Sequence, residues 1–370
     1  MRGRELQFLA GDPGVTDENP RRQRRARYKG THPRHYAERY KELDPEHHAQ
    51  ELDKVRARGD TPAGTHRPIC VREVLEALDP RPGDAGLDAT LGFGGHAQAI
   101  LPRLRPGGRL IGIDVDPLEL SRTEARLRAL GFGEDILVVR RMNFAGLRRL
   151  LPELGRGLDF VLADLGVSSM QLDNPARGFT YKHDGPLDLR FNPLHGRPAS
   201  ALLCTLSQAD LADLLVENAD EPYADAIARA LREPPVETTV QLADRVRGAL
   251  AETVPTATRA EETRKALQRT FQALRIAVND EFRALDQFLA HLPECLKPGG
   301  RVAILSFHSG EDRRVKKAFQ TGHRDGVYAR VAPDPIRPSA DECRANPRSS
   351  SAKLRWAVKA APASESSTSL

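Results

Sequence analysis

No stretch of the 370-residue chain approaches the ~18–20 consecutive apolar residues that would cross a bilayer. The N-terminal MRGRELQFLAGDPG also lacks an adequate apolar run before a cleavage site. A cytoplasmic protein with no membrane partner is expected. Cysteine is scarce: Cys70, Cys204, Cys295 and Cys343 lie far apart, with no C-x-x-C pair. That spacing suggests neither a disulfide framework nor a tetrahedral zinc site, so reduced thiols and no metal are expected. No repeat appears at solenoid periods. Net charge is small, 56 Lys+Arg against 51 Asp+Glu giving +5, which permits a nucleic-acid partner without demanding one.

The length allows two domains, or one large domain with an insertion. Residues 1–65 show little hydrophobic periodicity and are rich in Pro, His and charge, so they read as a basic, flexible extension. Within it, six of the nine residues Arg21–Lys29 are basic, which fits phosphate contact as well as a solvated tail. From residue 66 the texture changes. VREVLEAL has helical spacing, AGLDATLG reads as a buried strand running into glycines, and RLIGIDVD, ILVVR and LDFVLADLG follow as further strands with a helix between the first two of these. Continuously apolar strands separated by helices predict an α/β, doubly wound, Rossmann-like parallel sheet. After Gly166 about a hundred residues carry mainly helical patterns before the strand RVAILSF, a helix through EDRRVKKAF and a last strand AKLRWAVK. The expected organisation is an α/β domain over 66–168, an inserted helical substrate-recognition domain over 169–275, a second α/β part over 276–359, and a tail over 360–370.

The first strand ends in DATLGFGGHA, where Gly92, Gly94 and Gly95 allow positive φ and close approach of a nucleotide. Gly92-x-Gly94-x-x-Ala97 satisfies the loose dinucleotide fingerprint, so the loop does not separate NAD from S-adenosylmethionine. Asp114, 20 residues beyond Gly94, ends the second strand where an acid accepts from ribose hydroxyls. Asp164 ends the fourth strand near the sheet's switch point. A nucleobase amino group is a poor nucleophile, and methylating it needs an acceptor for its proton, a role that suits Asp164. Gln171, Asn174, Arg177, Lys182 and Arg190, mixed with Phe179 and Tyr181, could read and stack a base, or pack the insertion. Arg264, Lys265, Arg269 and Arg275 lie on one amphipathic pattern, either an RNA-facing rim or an ordinary helix surface. His308 and Ser309 are expected to shape the rim of the site. Besides a methyltransferase, an NAD-dependent oxidoreductase and a non-catalytic rRNA-binding assembly protein remain open at this point, as does a homodimer.

HRPICVREVLEAL, DATLGFGGHA, GIDVDP, DLGVSSMQLDNPARGFTYKHDGPLDLR, TRKALQRTFQALRIAVNDE, KPGGRVAILSFHSGEDRRVKKAF and NPRSSSAKLR resemble, in order, the blocks of one family. It is the bacterial 16S rRNA cytosine-N4 methyltransferase family RsmH, also called MraW. The resemblance covers roughly residues 66–359 and implies a class I methyltransferase fold. It further implies S-adenosylmethionine as cofactor and methylation of the exocyclic N4 of cytosine 1402, standard numbering, of 16S rRNA in the small ribosomal subunit. By resemblance, Gly94, Gly95 and His96 hold the methionine end, Asp114 the ribose and Phe144 the adenine, with Asp164 and Gln171 completing the contacts. The N-terminal extension is longer than the leader typical of that family, Gly310 follows FHS in place of a larger residue, and the segment from Phe319 to Asn346 is short.

Overall fold

A computed structural model of the chain describes residues 68–155 and 157–361. The basic extension and nearly all of the tail lie outside the described residues. The chain opens with helix α1 (Val71–Leu78), which turns Val74 and Leu78 inward. Strand β1 (Ala85–Asp88) leads through the glycine turn to α2 (Gly95–Ile100), followed by β2 (Arg109–Asp114), α3 (Pro117–Ala129) and β3 (Leu137–Arg141). Helix α3 starts sharply because Asp116 accepts from the amides of Leu118 and Glu119, with Pro117 at its first position and arginines in its last turn. A single turn, α4 (Leu151–Leu154), precedes β4 (Leu158–Asp164).

The insertion then leaves the sheet through α5 (Ser169–Asp173), α6 (Ala199–Thr205), α7 (Gln208–Ala219), α8 (Ala224–Ala230), α9 (Thr239–Thr253) and α10 (Thr256–Asn279). Capping boxes open three of these helices, at Ser168/Gln171, Ser207/Asp210 and Thr238/Gln241. The chain returns through α11 (Glu281–Cys295) to β5 (Leu296–Ser306), α12 (Ser309–Arg324), β6 (Tyr328–Val331), α13 (Ala340–Ala345) and β7 (Lys353–Lys359).

These strands form one seven-stranded sheet in the order β3-β2-β1-β4-β5-β7-β6. Strands β1 to β5 are mutually parallel, whereas β7 runs antiparallel between β5 and β6. Two features depart from the sequence expectation. The sheet is mixed rather than parallel, and β6, with only one of its four residues buried, carries too weak an apolar signal to be read as a strand. The expected boundary at residue 275 also falls inside α10, which continues to Asn279.

Period-two alternation distributes the apolar residues of the central strands to two cores. Phe160 and Leu162 of β4, with Ala303 and Leu305 of β5, face α1, α2 and α3, while Val161, Ala163, Val302 and Ile304 face α11 and α12. The insertion has a third core of its own, built from Leu211, Leu215, Ile227, Leu242, Val246 and Leu274 among others. The neighbours β4 and β5 are separated in sequence by this whole unit, so the insertion springs from the carboxyl edge of the sheet, where β4 ends.

Gly86 shows how tightly the sheet face is packed. A Cβ at this position would lie 1.9 Å from Phe160 Cζ, and that ring is fully buried. Gly86→Ala is expected to destabilise the fold by about 1–3 kcal/mol, and Phe160→Leu in the same chain should return part of the loss. Urea unfolding checks this; an unchanged midpoint for Gly86→Ala would contradict the packing account.

Candidate active site

The carboxyl ends of β1, β2 and β4 border a cleft of about 430 Å³, within the range of small-molecule sites. After β1, Gly92 (φ 47°) and Gly94 (φ 72°) take left-handed conformations that let the chain reverse into α2. Gly94 also lies so close to α3 that a Cβ would meet Thr123 at 2.9 Å, and a Cβ on Gly95 would strike Pro68 at 2.3 Å. Glycine is thus required here by packing within the protein as well as by the turn. Gly95 and His96 begin α2, so their amides have no intrahelical acceptor.

Asp114 lies on the cleft at the end of β2. Its Oδ2 accepts from the Gly92 amide at 2.8 Å and its Oδ1 from the Asp116 amide at 2.9 Å. Burial raises its carboxyl above the usual range, although these amides oppose the rise. A carboxylate has about four lone-pair sites, so two remain for hydroxyl donors. Phe144 borders the cleft and is held edge-on by Phe288, ring centres 5.2 Å apart.

Asp164 ends β4 with its backbone amide on Thr90 Oγ1 at 2.6 Å. Its Oδ1 is enclosed and has no hydrogen-bond partner, although 29% of the side chain remains open on the cleft side. Burial, reinforced by Glu311, pushes this carboxyl up to about 7. His96 is buried beside it, and burial holds the imidazole below its usual range. The imidazole, which the resemblance assigns to the cofactor, is occupied by protein: Nε2 faces the Ile69 carbonyl at 3.0 Å and Nδ1 faces Asp164 Oδ2 at 3.6 Å.

Gln171 lines the cleft, but its side chain is also committed internally. Its Oε1 accepts from the Ser168 amide and its Nε2 donates to Asp116 Oδ2 at 2.8 Å. Asp116 is the centre that sequence reasoning missed. It has no exposed surface, caps α3, and receives both Gln171 and the Arg177 guanidinium, the latter at 2.7 Å. Arg177 in turn donates to the carbonyls of Arg190 and Phe191. The acidic run IDVD with an N-capping position before Pro117 was the available signal.

Much of the set expected to read a base packs the insertion instead. Phe179 is buried and stacks on Phe191 at 6.0 Å, Tyr181 lies 5.4 Å from Phe271, Asn174 caps the next turn, and Arg190 pairs with Asp188 at 2.7 Å. Lys182 remains exposed. The cations of α10 are also largely matched: Lys265 pairs with Glu261 and Glu262, and Arg269 approaches Glu221 at 3.9 Å. Arg275 is instead half-buried against the cleft and bidentate to Glu281, at 2.7 and 2.9 Å. His308 occupies the position before α12 without a side-chain capping bond, stands 3.2 Å from Glu311 Oε1 and packs on Phe282. Burial would raise Glu311, but His308, Arg275 and the Phe307 amide together hold it below the usual range. Asn346, Arg348 and Ser351 complete the cleft from just before β7. Arg348 is anchored there by Asp173 at 2.7 Å.

A glycine turn, an acid on the neighbouring strand end and a buried carboxyl at the sheet's switch point form a Rossmann-like nucleoside site, and the family match makes it that of a methyltransferase. The chain belongs to the MraW methylase family, whose model matches residues 63–360. It is 55% identical over 351 residues to ribosomal RNA small subunit methyltransferase H 2 of Alkaliphilus metalliredigens, covering 94% of this chain and 100% of that one. The corresponding enzyme H 1 of Lachnoclostridium phytofermentans is 51% identical, with 95% and 97% covered, and that of Agathobacter rectalis 47%, with 93% and 99%. These matches reach well into the N-terminal extension, so the extension is shared with these relatives. Membership of a methylase family sets aside the oxidoreductase reading. Among the described residues no helix is long and apolar enough to cross a membrane.

The Asp116–Arg177 pair, with 1% and 7% of the side chains exposed, yields a direct test. Arg177→Met leaves Asp116 buried without its cation and is expected to cost about 3–5 kcal/mol, while adding Asp116→Asn should recover a substantial part. Chemical denaturation of the single and double variants measures this. Strictly additive losses would show that the pair is not coupled.

Proposed function

We propose that this chain transfers a methyl group from S-adenosylmethionine to the exocyclic N4 of a cytosine in 16S rRNA, position 1402 in standard numbering, presented by the small ribosomal subunit. The observation that carries the reading is the Asp164 carboxyl, raised to about 7 by burial yet partly open on the cleft beside the glycine turn and the Asp114 carboxylate. The residues fit the cofactor: the backbone at Gly94, Gly95 and His96 holds its methionine end, the spare lone pairs of Asp114 take the ribose hydroxyls, and Phe144 borders the adenine. Gln171 acts through Asp116, which fixes the loop after Asp114. When bound, the cofactor supplies a methyl group on a sulfonium, an electrophile that needs no metal.

The amino lone pair of cytosine is delocalised into its ring, so the protein must orient it and take its proton. Asp164 does both: the N–H points at the part of its carboxylate that is open on the cleft, and as the methyl group is acquired the N–H bond breaks and an O–H bond forms on Asp164. The inserted helical unit brings the RNA to the cleft mouth, with Lys182 free to meet phosphate. The names of the relatives, small-subunit rRNA methyltransferases, support this acceptor class, and such a substrate puts the enzyme in the cytoplasm.

Asp164→Asn is expected to lower single-turnover methylation at saturating cofactor about 10²–10⁴-fold, a much larger loss than the loss in cofactor affinity. Calorimetry alongside quench kinetics separates the two quantities. If binding collapses instead, Asp164 is chiefly a cofactor ligand. For the acceptor, unmodified small subunits incubated with protein and S-adenosylmethionine should gain N4-methylcytidine at the decoding-region cytosine, read by nucleoside mass spectrometry. No transfer to subunits or free rRNA, with cofactor binding intact, would refute the acceptor.

A further inference from the structure

The hydrogen-bond polarity of His96 can be read from its partner. A carbonyl oxygen only accepts, so Nε2, 3.0 Å from Ile69 O, carries a proton. In the neutral ring Nδ1 is then a lone pair, and it faces Asp164 Oδ2 at 3.6 Å. Two acceptors turned toward each other in an enclosed site are unfavourable unless a proton lies between them. The separation is just outside hydrogen-bond reach, and a closure of a few tenths of an ångström lets one shared proton satisfy both, as carboxyl and imidazole or as carboxylate and imidazolium.

We propose that Asp164 and His96 hold one proton in common, that a cation entering the cleft displaces it, and that the amino proton of the acceptor replaces it. This deepens the function proposed above and rests on that reading of the cofactor as a sulfonium. The surroundings favour the occupied pair. Asp88 on β1, Asp114 on β2, Glu311 on α12 and Glu342 on α13 all act electrostatically on it or on each other, and Cys70 adds a neutral thiol. The nearby guanidinium of Arg275 is held by Glu281. Burial lifts Asp164 to about 7, which favours its neutral form.

A fixed positive charge beside the pair reverses that preference, because the emptied pair is an anion matched to the cation. The O–H or N–H bond within the pair breaks and the proton leaves to solvent, so the net charge of the site is unchanged. After transfer the donor is neutral. The substrate N–H bond breaks, its proton refills the pair, and the starting state returns without a buried excess charge.

The sign of the pH dependence follows. Below about 7 the free enzyme holds the proton, so binding the cation must release it; above that value nothing remains to release. Titration calorimetry of the full chain in two buffers of different ionisation enthalpy counts the protons. S-adenosylmethionine should release about one proton near pH 6 and close to none near pH 8.5, and its affinity should rise up to about tenfold per unit below 7 and then level. S-adenosylhomocysteine, which lacks the sulfonium charge, should release less than half as much near pH 6. Asp164→Asn should abolish the release and His96→Gln, whose amide can still donate to Ile69, should reduce it. Asp88→Asn should preserve it, although burial lifts Asp88 to about 7 as well. Equal release by both ligands, tight binding with no release, or loss of release in Asp88→Asn would each overturn the shared-proton pair. If S-adenosylmethionine fails to bind at any pH, it is the cofactor reading that falls.

Discussion

The arrangement of the molecule depends on one buried carboxylate. Asp116 stands two residues beyond the predicted ribose acid and satisfies the first amides of α3, as an N-cap should. Its second oxygen receives a neutral amide and a guanidinium from the start of the insertion. A bare carboxylate with no solvent contact would be prohibitively costly, so Arg177 and Gln171 are needed where they are. Through Arg177 the same contact reaches the carbonyls of Arg190 and Phe191 within the insertion's long entry loop. The cofactor side of the cleft and the substrate side therefore share a single anchoring charge.

Around that anchor the cleft is divided by electrostatic character. Its α2 side holds neutral or proton-sharing groups, Asp88, His96 and Asp164, whose ionisation burial opposes. On its α10–α12 side Arg275 is paired with Glu281, and Glu311 is held below the usual carboxylate range despite its burial. The difference has a physical basis. Arginine cannot readily lose its proton, so it demands a carboxylate partner, whereas a carboxyl beside a buried imidazole can trade charge for a shared proton.

The sheet was legible in the sequence because β1, β2, β4 and β5 are buried on both faces and read as continuous apolar runs. Strand β6 was hidden for the opposite reason, exposed arginine and alanine on a sheet edge. At the site, Asp114 and Asp164 could be placed on the cleft because strand ends and glycine turns fix where ligands lie, whereas Phe144 was reached only through the family resemblance. The roles of Gln171, Arg177 and the α10 cations were not legible. Polar residues near a cleft carry the same sequence signal whether they face a ligand or brace one another, and only contacts such as Arg177 to Asp116 distinguish the two. The glycine at 95 was recognised for its loop but not for Pro68, which lies far back in the chain and presses directly on it.

The cleft draws its walls from Pro68 at one extreme and Ser351 at the other, with β7 inserted between β5 and β6. During synthesis, the glycine turn and its acid emerge long before the segment bearing Asn346, Arg348 and Ser351. Contacts this distant in sequence form late in folding, because loop closure must precede the interactions that reward it. A chain still being translated therefore has the recognisable motifs without a closed pocket. An enzyme that methylates ribosomal RNA thus acquires its binding cleft only after the segment bearing Asn346, Arg348 and Ser351 has been made.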